Sequence, residues 1–399
     1  MVASALSAYL AGGRRMVSAR AVESGGRSAC VGAVVPGTGR YALQGAQMRA
    51  GLELWARRAS VRLLLEDDAS RPPRAARLYG ELLARGCRFV LAPYGGDSTR
   101  AVATTHPGAL VWNHGAAADD VQRLPGIVSV PSPASRYLVA LGRAVAALRP
   151  SASVAVVTAG GHFGRFAREG LERATASLGL TVAASLSFSD SLSAIAAARA
   201  DAILLCGALG QEVVLLRALA RLCPDALIGG ASPGVAGFPA LLGGDPEGLL
   251  APVQWHPELG SAPRLGPSSI EIVAAARQSG LGELDYVAAQ VYAAALIAAR
   301  CLELSPDDPL AAARRLCTTT FFGPFELDPA SGLHGDTASP SSAGGRGARS
   351  SSLRKRRRGW RKRSQAAALA AAGLALGGRG QLESESSHSI RAGCAKGAE

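Results

Sequence analysis

From residue 30 onward, short runs of Val, Ile, Leu and Ala alternate with longer stretches whose apolar positions recur every three to four residues. Near-continuous apolar runs mark strands buried on both faces, and the longer stretches mark the helices that cover them, so the pattern is that of parallel sheets flanked by helices. Strands are predicted over 30–35, 61–66, 88–92 and 109–112, with helices over 43–58, 71–85 and 97–105. A Pro-punctuated segment, VSVPSPAS (128–135), interrupts the series. The pattern then restarts with strands over 153–158, 180–186, 202–206 and 226–230, separated by helices over 135–148, 163–178 and 209–221.

Past residue 248 the order changes: a strand-like LLAPVQW precedes helices over 268–279 and 284–304. The second of these is strongly apolar and needs a partner surface, and the simplest packing returns it to the first unit. The chain then crosses between two units at least twice, which makes a hinge. The expected fold class is α/β, with two Rossmann-like lobes of parallel sheet flanked by helices and joined by a multi-crossing hinge. The expected boundaries are an N-terminal segment 1–29, first lobe 30–127, second lobe 128–247, return to the first lobe with the hinge 248–335, and a tail 336–399.

Charge sharpens the last boundary. The formal net charge of the 399-residue chain is +13, but residues 337–399 alone carry +10, leaving +3 for the rest. All three lysines, Lys355, Lys362 and Lys396, lie in that tail. Its low-complexity composition predicts disorder or weak helix, and a basic block such as RKRRRGWRKR lies outside the fold, so the folded part offers no nucleic-acid surface. No uninterrupted apolar run reaches the roughly 18 residues of a membrane span, and no transmembrane segment is expected. The N-terminus shows no readable secretory signal: Arg14 and Arg15 follow the apolar stretch instead of preceding it. Seven dispersed cysteines lack the paired spacing of a zinc or redox site, and no cofactor or metal is expected.

In open parallel sheets, ligands bind beyond the C-terminal strand ends, where loops lead into helix N-termini. Here those loops read PYGGDST (93–99), NHGAAADD (113–120), AGGHFG (159–164), CGALGQ (206–211) and GASPGV (230–235). Their small residues let backbone amides approach a ligand, and two facing sets describe a cleft. Candidate ligand-binding residues are Tyr94, Gly95, Gly96, Asp97 and Ser98 from the first loop and Asn113, His114 and Gly115 from the second. The other lobe contributes His162, Phe163, Leu209 and Ser232. The amides of Gly95, Gly96 and Asp97 are expected to hold an anionic group such as a carboxylate, although residues 97–99 also read simply as a helix cap.

The ordered series VGAVVPGTGRYALQGAQMRAGLEL, LEDDAS, LLARGCRFVLAPYGGDSTRAVA, SVAVVTAGGHFGRFAREGLERATASLGL and LLGGDPEGLLAPVQWHP covers roughly residues 30–335. It resembles the type I periplasmic binding proteins, in particular the branched-chain amino acid and amide substrate-binding proteins of ABC importers. The resemblance implies a non-enzymatic protein that closes on a small amino-acid-like, amide or carboxylate ligand, with an ABC permease as partner and a periplasmic or cell-surface location. Cytosolic amide-sensing regulators share the fold and remain an alternative, with a cytoplasmic location. By the same resemblance Phe163 is the aromatic that folds over the ligand. The acidic residue that holds an amino acid's ammonium belongs in GASPGV, where there is neither Asp nor Glu. Either Glu212, or Asp119 with Asp120, takes that part, or the ligand lacks an ammonium. The family's closing strand is also not visible where LHGD passes into the basic tail, the change that a shift of reading frame would produce.

An enzyme reading is weaker. QWHPE (254–258) is similar to the His-Pro-Glu of class I glutamine amidotransferases, with Cys206 at a strand end as nucleophile. That chemistry needs an elbow with small flanking residues, and Leu204 stands in the way.

Overall fold

The computed structural model describes residues 29–335 apart from 236, 245, 260 and 261, so the expectations for 1–28 and for the tail fall outside the described residues. The first lobe is a five-stranded parallel sheet of β1 (Cys30–Val35), β2 (Arg62–Asp67), β3 (Phe89–Leu91), β4 (Val111–Asn113) and β5 (Ile127–Ser129), in the order β2-β1-β3-β4-β5. The second lobe repeats the plan with β6 (Ser153–Thr158), β7 (Thr181–Ser187), β8 (Ala202–Cys206), β9 (Leu227–Gly230) and β10 (Leu249–Leu250), ordered β10-β9-β8-β6-β7. Central position explains composition. All six residues of CVGAVV in β1 are buried, whereas the edge strand β7, TVAASLS, has small and polar residues and is largely exposed.

The helices of the first lobe are α1 (Ala42–Ala59), α2 (Pro72–Ala84), α3 (Gly96–Thr105) and the short α4 (Asp119–Gln122). Those of the second are α5 (Tyr137–Leu148), α6 (His162–Leu178), α7 (Leu192–Ala197), α8 (Leu209–Leu222) and α9 (Phe238–Leu242). After β10 the chain returns to build α10 (Ser269–Gln278), α11 (Tyr286–Leu304), α12 (Pro309–Arg315) and a hairpin of β11 (Thr318–Thr320) and β12 (Gly323–Phe325). The apolar C-terminal helix packs on the first lobe: Val287, Val291, Ile297 and Cys301 share one core with Val31, Trp55 and Phe89. α1 and α11 approach so closely that a Cβ on Gly51 would lie 2.3 Å from the Ala288 carbonyl oxygen. Among the described residues, α11 alone is long and apolar enough to cross a membrane, and 72% of its most apolar window is buried inside the fold.

Two boundaries move. The segment expected to open the second lobe at residue 128 still belongs to the first sheet, because Trp112 pairs with Val128 and Asn113 with Ser129. The crossing therefore comes after Ser129. Likewise Leu249 and Leu250 pair with Ile228 and Gly229 of the second sheet, so the return begins after β10 and not at residue 248. The two crossings meet at Gln254. Its Oε1 accepts from the Ser132 amide at 3.2 Å and from Gln290 Nε2 at 3.0 Å, and its Nε2 donates to the Tyr137 hydroxyl. One side chain thus ties both hinge strands to α5 and α11.

Candidate functional site

The C-terminal ends of both sheets face each other across a cavity of about 600 Å³ walled by loops of both lobes. That volume suits a small organic solute. Of the twelve residues singled out in the sequence, the structure brings nine to this cavity: Tyr94, Gly95, Gly96, Asp97 and Gly115 from the first lobe, and His162, Phe163, Leu209 and Ser232 from the second.

The other three are not on its wall. Ser98 is buried in the first turn of α3. Asn113 is fully buried with its amide spent: Nδ2 donates to Ala116 O and Ser129 Oγ, and Oδ1 accepts from the Gly115 and Ala116 amides. It shapes the loop that carries Gly115. His114 is equally buried and bonds through Nε2 to Ala92 O at 2.8 Å. Burial pushes its imidazole down to about 4, so it is a neutral spacer beneath the wall and not a ligand donor.

One of the three amides expected to hold an anion is already engaged. The Gly95 amide is engaged by Gly115 O at 3.2 Å. The first intrahelical bond of α3 comes from the Thr99 amide to Gly95 O, which leaves Gly96, Asp97 and Ser98 as the leading amides of a ten-residue helix. Glycine at 95 is a backbone requirement. Its φ is +96°, and a Cβ there would lie 2.9 Å from the Tyr41 ring.

Several wall residues escaped sequence reasoning: Tyr137 and Tyr286 come from helix starts near the hinge, away from the strand-end loops, and Tyr41 and Gln44 from the start of α1. Tyr137, at the start of α5, meets Phe163 edge-on with ring centroids 5.1 Å apart. Tyr41 and Tyr94 meet in the same way at 5.3 Å. Tyr286 is delivered by the cap of α11, where Asp285 Oδ1 accepts from the Val287 and Ala288 amides and the Asp285 amide donates to Gln47 Oε1. Tyr94 and Tyr286 share a hydrogen bond, and burial raises the phenols of Tyr94, Tyr137 and Tyr286, which stay protonated and neutral. Gln44, in the first turn of α1, is 7% exposed, lines the cavity, and leaves Oε1 without a partner. A buried amide oxygen without a protein partner on a cavity wall can accept from a donor on a solute.

The acids sort differently. Glu212 is fully buried beneath the floor, with Oε1 accepting from the Gly207 amide and Oε2 from the Ser232 amide, both at 2.8 Å. It pins two loops together and does not face the cavity. Asp119 accepts from the Ser135 amide at 3.0 Å. Asp120 pairs with Arg100 at 2.7 Å and, across the cleft mouth, with His162 Nδ1. The one acid on the wall, Asp97, is paired with Arg40 at 3.1 Å. Among the described residues, then, Arg40 and Arg100 on the wall are each paired with an acid, and the cavity presents helix-end amides and no unpaired carboxylate.

The Asp120–His162 pair joins α4 of one lobe to α6 of the other, and Leu43 of the first lobe packs into the second-lobe core. Asp120→Asn is expected to weaken ligand affinity by roughly 2- to 5-fold, the size of a partly exposed polar contact, and to enlarge the unliganded particle in small-angle scattering. Unchanged affinity and unchanged dimensions at low salt would show that the pair does not hold the lobes together.

Sequence comparison supplies the family. The periplasmic binding protein model matches residues 29–338. The chain belongs to that family. A search of curated proteins finds no match. Among solved structures, a Leu-, Ile-, Val-, Thr- and Ala-binding protein from Brucella ovis in its closed conformation is 13% identical, with a TM-score of 0.67 over 77% of this chain and 88% of that one. A branched-chain amino acid transporter substrate-binding protein from Streptococcus pneumoniae, in complex with isoleucine, is 14% identical with a TM-score of 0.64, covering 76% of this chain and 92% of that one. An ABC-transporter solute-binding protein from R. palustris, in complex with 4-hydroxybenzoate, is 18% identical with a TM-score of 0.63, covering 76% of this chain and 89% of that one. At these identities the likeness establishes the two-lobed α/β fold.

The amidotransferase arrangement finds no support in the geometry. Cys206 is fully buried, and burial, then the Glu212 charge, hold its thiol well above the usual range, far from the thiolate a nucleophile needs. His256 Nδ1 accepts from the Glu258 amide in its own segment.

Proposed function

We propose that this periplasmic binding protein is the solute-binding component of an ABC importer, and that its solute is a small carboxylate carrying a ring with a hydroxyl or similar donor and no ammonium group. The observation that carries this reading is the composition of the wall: an aromatic box of Tyr41, Tyr94, Tyr137, Phe163 and Tyr286, with basic groups and helix-end amides on the first-lobe side. The carboxylate rests on the Gly96 and Asp97 amides, the ring lies among the aromatic side chains, and a donor on the solute satisfies Gln44 Oε1. An ammonium would bring a positive charge to a wall whose only acid is already paired, a cost that a ring does not meet. The solved structure from Streptococcus pneumoniae carries isoleucine and that from R. palustris 4-hydroxybenzoate, and the wall chemistry favours the second class.

A thermal-shift panel of hydroxybenzoates, branched-chain amino acids and their amides tests the reading. A solute present at a hundredfold excess over Kd adds about 2.7 kcal/mol to stability. Hydroxybenzoate-type solutes are expected to raise the melting temperature, and to be recovered chemically unchanged. A shift with leucine or isoleucine and none with aromatic acids would overturn the solute class. Release of ammonia from an amide, lost in Cys206→Ala, would overturn the binding-only role.

A further inference from the structure

The end of the first lobe opposite the cleft holds a pair of sulfurs that ligand binding does not use. Cys30 is the first residue of β1, and Cys87 lies just before β3, the adjacent parallel strand. Their Sγ atoms are 3.1 Å apart, and the two residues are 9% and 7% exposed. We propose that Cys30 and Cys87 are a disulfide-forming site that closes the first lobe's β1–α1–β2–α2 segment into a covalent loop.

Three features of the chain place the two sulfurs together. The Arg88 amide donates to Cys30 O at 2.7 Å, and Val31 is in register with Phe89, so the backbones on either side of the pair are held by the sheet itself. Residues 30 and 32 share one face of β1, and residue 32 is glycine: a Cβ there would lie 3.2 Å from Cys87 Sγ and 3.2 Å from Leu82 Cβ. Gly32 thus leaves the volume that the Cys87 sulfur occupies. The pair is also set apart from the other buried thiols, since Cys206 lies in a second-lobe core and Cys301 in the core beneath α11.

Bond formation needs only thiol–disulfide exchange. A disulfide oxidant, either a small one such as glutathione disulfide or an oxidoreductase in its disulfide form, is attacked by one protein thiolate to give a mixed disulfide. The second protein thiolate then displaces the remaining leaving thiol. One protein S–S bond forms, one oxidant S–S bond breaks, two electrons pass to the oxidant, and the two thiol protons end on the two released thiols. Burial, then the hydrogen bond to Cys30, push the Cys87 thiol up to about 12, so exchange on the folded protein is slow and is driven by proximity, not by an activated thiolate. Arg62 and Arg85 act in the opposite direction on the same thiol.

The test is oxidation of the full chain. Reduced protein is incubated to completion with glutathione disulfide, denatured, alkylated and mapped by mass spectrometry, and its melting temperature is compared with that of the reduced form. The expected result is the loss of two alkylatable thiols, a cross-linked peptide pair containing Cys30 and Cys87, and a melting temperature several degrees higher, because the unfolded chain then carries a closed loop. Cys30→Ser and Cys87→Ser should each abolish that redox-dependent shift. Should either variant fail to fold, the wild-type peptide map decides alone. Alkylation of both thiols after oxidation, glutathione retained on one of them, or a cross-link to a different cysteine would each overturn the assignment.

Discussion

Leucine in place of Gly96 abolishes solute binding while the protein melts at or above its usual temperature. A Cβ built at Gly96 meets only Val121 Cγ2 at 3.8 Å and Ala118 Cβ at 3.9 Å, both at ordinary contact distance and both on the cavity wall. Gly96 is also absent from the glycines with positive φ, so its backbone accepts an L side chain without strain. As the first residue of α3 it gains helix propensity on losing glycine, worth up to about 1 kcal/mol. The isobutyl group therefore has no reason to disturb the lobe, and it projects along the surface where the carboxylate must reach the helix-end amides. Loss of at least about a hundredfold in affinity is expected, measured by calorimetric titration with a solute found by thermal shift. Gly115→Val is the contrasting variant. There a Cβ would fall 2.5 Å from the Tyr94 ring, so both binding and melting temperature should drop. Full affinity in Gly96→Leu, with an unchanged melting temperature, would place the solute elsewhere in the cleft.

The architecture was legible because fully buried strands write themselves as continuous apolar runs: CVGAVV, SVAVVT and AILLC coincide with β1, β6 and β8. β5 was not legible. Its three residues, IVS, sit beside Pro131 and Pro133 and read as linker, and only their pairing with β4 makes them part of the first sheet. The strand-end loops marked the cavity, yet the same reasoning could not tell which polar side chains turn inward. Asn113 and His114 looked like ligand donors, and each is consumed by its own loop and the neighbouring strands. The side-chain contacts at the hinge lay beyond reach for a different reason: Gln254 bonds Tyr137 across 117 positions and Ser132 across 122, and nothing local in QWHPE announces either contact. The aromatic box has the same origin, since Tyr137 and Tyr286 enter the cleft from helix starts fixed by long-range bonds.

Two buried groups give the protein opposing pH dependences, which single substitutions should separate. Glu212 is pushed up to about 7 by burial, in spite of the Gly207 and Ser232 amides that favour its carboxylate. In the unfolded chain it titrates near 4.5. Between those values the unfolded chain binds fewer protons than the folded one, so the Glu212 contribution is full below pH 4.5 and is lost as pH rises to 7. His114 works the other way. Its folded value is about 4 against 6.5 unfolded, because a second proton at Nδ1 would be buried with no partner. Its contribution is full above pH 6.5 and is lost as pH falls towards 4. Each shift corresponds to an effect on the order of 3 kcal/mol, and between about pH 4.5 and 6.5 the two largely cancel. The Glu212 and His114 contributions should therefore cancel in wild-type stability from urea unfolding over that window, leaving only the fall with rising pH that the Asp68 carboxyl, raised by burial, contributes. Glu212→Gln should leave the His114 slope exposed, losing stability on acidification, and His114→Gln should leave the Glu212 slope, losing stability as pH rises. The slopes are read within each variant, so a constant loss from repacking or from one misplaced amide donor does not affect the comparison. Asp201, whose carboxyl the Ser153 amide and hydroxyl hold below its usual range, changes stability only at lower pH and lies outside the window. Slopes of the same sign in both variants would mean that at least one of these groups titrates in the folded protein as it does in the unfolded chain.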